Sequence, residues 1–212
     1  MIENDFDDVI LEKAKNYTVS LLVVGDPFSA TTHVDLFTRA SKTGVKIEVL
    51  NNASIMNSCG ISGLSLYRFG ETVTIPYFTK TWRPYSFYEK IKRNYDSDYH
   101  TLVLLDIKVK EISEENLAKG KKIYEPPRFM SINIALEQMR EAEENYKENI
   151  ITENTLCYGL ARVGAPTQLI VSGTVKELIS YDFGGPLHSI IICAKNLHSM
   201  EREMFEYYKL KL

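Results

Sequence analysis

Residues 21–35, LLVVGDPFSATTHVD, constrain the fold more than any other stretch of the chain. Residues 21–24 form a short apolar run that includes β-branched residues, and they predict a buried strand. Gly25-Asp26-Pro27 ends it, because Gly accepts backbone angles that other residues avoid and Pro fixes its own φ. A small polar run follows, and from Val34 the apolar spacing turns helical. Strand, tight polar loop, helix is the unit that places ligands at the carboxyl end of a parallel sheet. Asp26 then sits at the rim of a cleft. Asp is also a favoured turn residue, so spacing by itself favours a plain turn over a ligand contact.

The rest of the chain predicts a two-lobed α/β architecture. Residues 3–16 place Phe6, Val9, Ile10 and Ala14 at helical spacing between charges. Residues 34–41 continue as a helix, with Gly44 just past its end. Residues 45–50 (VKIEVL) predict a second strand, closed by Asn51-Asn52-Ala53-Ser54. Strand, helix, strand implies a right-handed crossover and a parallel pair. A Gly-spaced apolar segment (55–66) and a third strand (71–78) complete the first domain, residues 1–78. Residues 79–84 (TKTWRP) are polar, end in Pro, and predict a linker. The second domain, 85–212, opens on a basic helix (86–93) and a strongly apolar strand (101–107). A loop at 116–127 leads to the best helix of the chain, 131–146. Its apolar face is Ile132, Ala135, Leu136, Met139 and Ala142, and Glu137, Arg140, Glu141 and Glu144 lie opposite. Strands at 155–163 and 189–194 and helices at 175–179 and 200–208 follow. Their less regular alternation predicts a mixed or antiparallel sheet.

Size and charge narrow the function. A chain of 212 residues can bury roughly 70% of its unfolded surface and needs no disulfide staples. A net charge of -3 gives no global basic field for nucleic acid. The three cysteines, Cys59, Cys157 and Cys193, are far apart and form no CxxC pair, which predicts reduced thiols in a cytosolic protein. The acidic start MIENDFDDVI is unlike a signal peptide, and the apolar runs are too short to span a bilayer. The four histidines show no HxxxH or HExxH spacing. GxSxG, Walker A and GxGxxG motifs are all missing. What remains is a set of positions at strand ends: Asp26, Ser54, Asp106, Val163, Gly164 and His188. Strand-end loops gathered together make a cleft. Taken singly, each also fits a structural role: Ser54 a helix cap, Asp106 a strand end, His188 a hydrogen-bonded structural histidine. The basic stretch Lys119, Lys121, Lys122 and Arg128, interleaved with Tyr124 and Phe129, fits a solvated loop better than a patch for RNA or an acidic protein.

Several long blocks, in order, carry a resemblance: VVGDPFSATTHVDL, NNASIMN, GLSLYRFGETVTI, WRPYSFYEKIKRN, HTLVLLDIKVKE, KIYEPPRFMS, GLARVGA and PLHSIII. Together they resemble the diphthine synthases of diphthamide biosynthesis in their eukaryotic form, over nearly the whole chain. The resemblance implies a two-domain tetrapyrrole-methylase-like α/β fold, with a parallel N-terminal domain and a mixed C-terminal one. It implies S-adenosylmethionine bound between them, a homodimer, and a cytoplasmic reaction on the modified histidine of elongation factor 2. The cofactor contacts it implies are Asp26 and Ser29 in GDPFS, Ser54 and Ile55 in NNASIMN, Leu105 in LVLLDI, Val163 in GLARVGA, and His188 in PLHS. The family often has Gly where Ser29 stands. Methyl transfer from an activated sulfonium rests mainly on alignment, so no general base is assigned, and the histidine spacing gives a metal site little support. The family pattern opens with a strand and a Gly-rich loop of the type GLGLGD, and the present sequence starts beyond it, so the first domain is expected to be truncated at its start. An alternative expectation is therefore an impaired, shortened form that only binds elongation factor 2.

Overall fold

The computed structural model describes residues 6–210, in two compact units that divide between Ser58 and Cys59. This boundary falls before the expected one at residue 78. The physical reason is that β1, Val73–Ile75, is hydrogen-bonded into the sheet of the second unit. Residues 79–84, expected as a linker, are a loop of that same unit. The Thr79 hydroxyl oxygen caps it by accepting from the amides of Thr81 and Trp82 at 3.3 and 3.0 Å.

The first unit is helical. A π-type turn, Asp7–Leu11, runs into the short helix Glu12–Ala14, matching the described part of the expected helix at 3–16. Residues 3–5 lie outside the described residues. The helix His33–Lys42 packs on it through Leu36 and Ala40, which bury Phe6 and Leu11, with Ile10 and Ile47 alongside. Val9, expected on the apolar face, is exposed instead. The two strands expected at 21–24 and 45–50 are not formed among the described residues, and neither is their parallel pair. Leu22 and Val24 are 92% and 104% exposed. A strand is a paired object, and apolar alternation without a hydrogen-bonding neighbour does not make one. The alternation survives as burial: Val45, Ile47 and Val49 are half-buried between exposed Lys46, Glu48 and Leu50.

The second unit is built on a five-stranded mixed sheet ordered β1-β2-β7-β5-β6. Its strands are β1, β2 (Thr101–Leu105), β5 (Leu156–Ala161), β6 (Leu169–Thr174) and β7 (His188–Ile192). β1 and β2 are parallel, and every other pairing is antiparallel. β6 has no counterpart in the sequence reading. One face of the sheet presents Val73, Ile75, Val103, Leu105, Cys157, Ala161, Ile190 and Ile192 to the core. The helices Ser86–Asp96 and Ile132–Tyr146 cover this face with Phe87, Tyr88, Ile91, Leu136 and Met139. The second helix starts where Ser131 caps the amide of Ile134 and ends at Lys147 in the left-handed conformation. Truncating Leu136 or Met139, both fully buried, to Ala costs about 2–5 kcal/mol. On the opposite face, helix Ser199–Tyr207 sets Phe205 edge-on to Tyr158 at 5.3 Å. β2 is followed by a small antiparallel arm, β3 (Ile107–Lys108) and β4 (Arg128–Phe129). Part of the loop expected at 116–127 is helical, in Glu114–Ala118.

Candidate functional site

The first unit gathers Asp26, Ser29, Ser54 and Ile55 in two adjoining loops. Asp26 joins them. Its Oδ1 accepts from the Phe28 amide at 2.9 Å and the Ser29 hydroxyl at 3.1 Å. Its Oδ2 accepts from the Asn52 amide at 3.1 Å and the Asn51 side chain at 3.3 Å. The Asn52 amide, then that of Phe28, holds its carboxyl below the usual carboxylate range. Gly25 precedes it at φ +85°, where a Cβ would meet the Ala53 carbonyl at 3.3 Å, so this close approach of the two loops suits Gly. Ser54 opens the short helix Ile55–Ser58, its hydroxyl accepting from the Met56 amide at 3.1 Å. Asp26 thus shapes the loop with its carboxylate, as a turn residue does.

The second unit brings Leu105, Val163 and His188 to one end of its sheet. Leu104 pairs with Ser189 across β2 and β7, so Leu105 and His188 are the next residues outward. Ala161 pairs with His188 across β5 and β7, and Val163 follows two residues on, half-buried. Leu105 is 7% exposed and anchored on its other side by Ile75 of β1. Asp106 is structural here: its side chain accepts from the Tyr77 amide at 3.0 Å, and its carbonyl from the Met130 amide at 3.0 Å.

His188 is 9% exposed, and its ring has one committed nitrogen. Nε2 donates to the Gly185 carbonyl at 3.0 Å, whereas Nδ1 is buried without a hydrogen-bond partner among the described residues. Burial lowers the ring's pKa below its ordinary value, the Gly185 carbonyl opposes this, and the charge of Arg162 adds to it. The ring is therefore neutral near pH 7, with its proton on Nε2 and a lone pair on Nδ1. A buried acceptor without a partner costs free energy until a donor reaches it.

Arg162 is a residue the sequence reading did not single out. It sits between Ala161 and Val163 at φ +50°, and its amide donates to the Leu187 carbonyl at 2.8 Å. Its guanidinium donates to the carbonyls of Phe183 at 2.8 Å, Thr167 at 3.0 Å, and Gly185. One side chain thus ties the turn before His188 to the turn after β5. Phe183, fully buried, meets the His188 ring at 6.0 Å between centroids. A Cβ on Gly159 would lie 2.3 Å from the Phe183 ring, so β5 must carry Gly at this point. The weak signal for Arg162 was its place inside GLARVGA. Among the described residues no group of three His, Cys, Asp or Glu could hold a metal ion.

Comparisons with known proteins give the family and the fold. Residues 3–179 match the family model of tetrapyrrole (corrin/porphyrin) methylases. The human diphthine methyl ester synthase is 53% identical over 213 residues, covering 99% of this chain and 74% of the relative. A crystal structure from Entamoeba histolytica, assigned as a diphthine synthase, superposes with a TM-score of 0.86 at 48% identity, over 97% of this chain and 76% of that one. A second diphthine synthase structure gives 0.78 at 32% identity, over 98% and 71%. The chain spans about three quarters of the length of these relatives. It belongs to the tetrapyrrole methylase family and, within it, groups with the diphthine methyl ester synthases.

Proposed function

We propose that this methyltransferase moves methyl groups from S-adenosylmethionine to the modified histidine of elongation factor 2, in the cytoplasm and as a homodimer. Its place among methyltransferases of diphthamide biosynthesis follows from the family. The donor, the acceptor protein, the compartment and the dimer are the further reading. The observation that carries it is His188: a neutral ring with a buried, open acceptor atom at the sheet end where Leu105 and Val163 supply apolar walls. Those residues fit an amine-bearing, largely apolar-walled ligand such as the adenosyl group. Asp26, Ser29, Ser54 and Ile55 contribute further contacts through backbone and small side chains.

When bound, the donor supplies a methyl group on a sulfonium, whose leaving thioether is neutral and needs no proton. Such a transfer needs no acid, nucleophile or metal. The residues have three tasks: His188 Nδ1 accepts a donor N–H, Arg162 holds the turn that presents His188, and Asp26 fixes the loop pair of its own unit. Alignment of this kind contributes on the order of 7–11 kcal/mol when reactants are well oriented. A methyl ester is made from a carboxylate, so the acceptor is already a nucleophile at neutral pH, and an acceptor amine needs only to lose its proton to water.

Calorimetric titration with S-adenosylhomocysteine tests the reading. The wild-type chain is expected to bind, with roughly tenfold weaker binding for His188→Ala, about 1.4 kcal/mol. Asp26→Ala is expected to weaken binding as well, through its loop. A folded wild-type chain that does not bind overturns the reading.

A further inference from the structure

We propose that the arm between residues 107 and 129 is the docking surface for the protein that carries the acceptor histidine. This rests on the methyltransferase reading and extends it from the donor to the partner. The arm leaves the sheet two residues after Leu105 and returns at Met130, whose amide donates to the Asp106 carbonyl at 3.0 Å. It is therefore rooted at the same end of the sheet as His188. Its own ladder is thin: Ile107 pairs with Phe129, Lys108 with Arg128, and farther out Ile112 bridges Tyr124.

The surface of the arm is both apolar and cationic. Val109, Leu117, Ile123 and Tyr124 are 48%, 68%, 56% and 54% exposed. In sequence the arm carries six lysines and arginines against four glutamates, inside a chain of net charge -3. Lys108 and Arg128 are committed to Glu111 at 3.0 and 3.7 Å. Lys110, Lys121 and Lys122 are exposed, and among the described residues no ion pair holds them.

The chemistry of the reaction says what such a surface meets. A methyl ester synthase takes a carboxylate as acceptor, and that carboxylate stands on a folded protein too large to enter a small-molecule pocket. Exposed cations on an arm rooted at this sheet end draw a carboxylate-bearing acceptor in, without touching the reacting oxygen, where they would blunt its nucleophilicity. Exposed aromatic and aliphatic side chains interleaved with cations are what a protein surface recognises. After transfer the carboxylate is a neutral ester, so the attraction falls and the product leaves more readily.

The test measures binding of the full chain to elongation factor 2 bearing the unmethylated precursor histidine. The variant carries Lys110→Glu, Lys121→Glu and Lys122→Glu, and S-adenosylhomocysteine titration serves as the folding control. The expected result is at least tenfold weaker protein binding by the variant with unchanged S-adenosylhomocysteine affinity. Wild-type binding is expected to weaken as salt rises. Equal binding of elongation factor 2 by wild type and variant overturns the docking surface and leaves the methyltransferase reading standing. A wild-type chain that binds S-adenosylhomocysteine but never elongation factor 2 removes the acceptor reading, and the surface with it. A variant that changes oligomeric state in light scattering assigns the arm to a second copy of the chain. Binding that vanishes on nuclease treatment assigns it to RNA. Either result overturns the proposal.

Discussion

Glu201 shows how much one buried carboxylate can organise. It is 1% exposed, and its oxygens accept from the Ser65 amide at 3.1 Å, the His198 amide at 2.9 Å, and the Arg68 guanidinium. His100, fully buried, donates from Nε2 to the same carboxylate at 3.2 Å, while its Nδ1 accepts the Ala194 amide at 3.0 Å. An amide proton aimed at Nδ1 leaves no room for a second proton on the ring, so His100 is neutral and Glu201 ionised. Burial lowers the His100 pKa below its ordinary value, against the pull of Glu201. For Glu201, burial acts upward, but the His198 and Ser65 amides and His100 prevail and bring it down to about 2. Both folded pKa values lie below their unfolded ones, so both contributions are full at neutral pH. The histidine's share is lost as pH falls below about 6.5, and the carboxylate's as pH falls through about 4.5 toward 2. Denaturant titrations across pH 3–8 should show Glu201→Ala costing about 3–5 kcal/mol at pH 7. The gap to wild type should narrow on acidification, and a gap independent of pH would contradict this assignment.

At the scale of elements, the helix at 132–146 and the strand at 101–105 were legible because their signals are local. A 3.6-residue apolar period with Ser131 as cap defines the first, and an unbroken apolar run the second. β6 was illegible because Ser172 and Gly173 interrupt its apolar pattern. The Ser172 hydroxyl is satisfied by the Phe205 carbonyl on a helix that comes more than thirty residues later in the chain. The strands expected at 21–24 and 45–50 show the converse: composition can be right for a strand where the described chain offers no partner. The candidate site divides the same way. Leu105, Val163 and His188 could be named from blocks in the sequence, but their common sheet end comes from pairing register. Arg162 was invisible as a positioning residue because its partners Phe183 and Gly185 lie 21 and 23 residues away. Its planar fork reaches three carbonyls, which a lysine cannot do. Arg162→Lys is expected to fold, with its circular dichroism unchanged, and to weaken S-adenosylhomocysteine binding about tenfold by freeing the turn before His188. Unaltered affinity would reduce Arg162 to a surface staple.

The molecule as a whole divides its stability unevenly. The first unit encloses a small apolar cluster of Phe6, Leu11, Leu36 and Ala40, while Leu22, Val24 and Leu50 stand 92%, 104% and 78% exposed. The second unit encloses a continuous core that runs from Val73 to Ile192, through β1, β2, β5, β6 and β7 and the helices that cover them. Local opening is easiest where few apolar contacts and few paired amides hold the backbone. Exposed apolar surface at 22, 24 and 50 gives the first unit little to lose on opening, because burial is roughly proportional to the area withdrawn from water. Hydrogen exchange should therefore grade along the chain. Amides at 21–24 and 45–50 should exchange almost as unstructured peptide does, those of the helix His33–Lys42 at an intermediate rate, and those of β5 and β7 only on global unfolding. Thermal melting should show the same order, with the helical signal of the first unit lost before the sheet and the helices packed on it. Binding of S-adenosylhomocysteine should then slow exchange at residues 25–29 and 51–55, as the test of the Asp26 loops, and at 162–163 and 183–188, as the test of His188. Protection confined to the second set would leave the donor resting on His188 and its neighbours, with Asp26 a turn residue and nothing more.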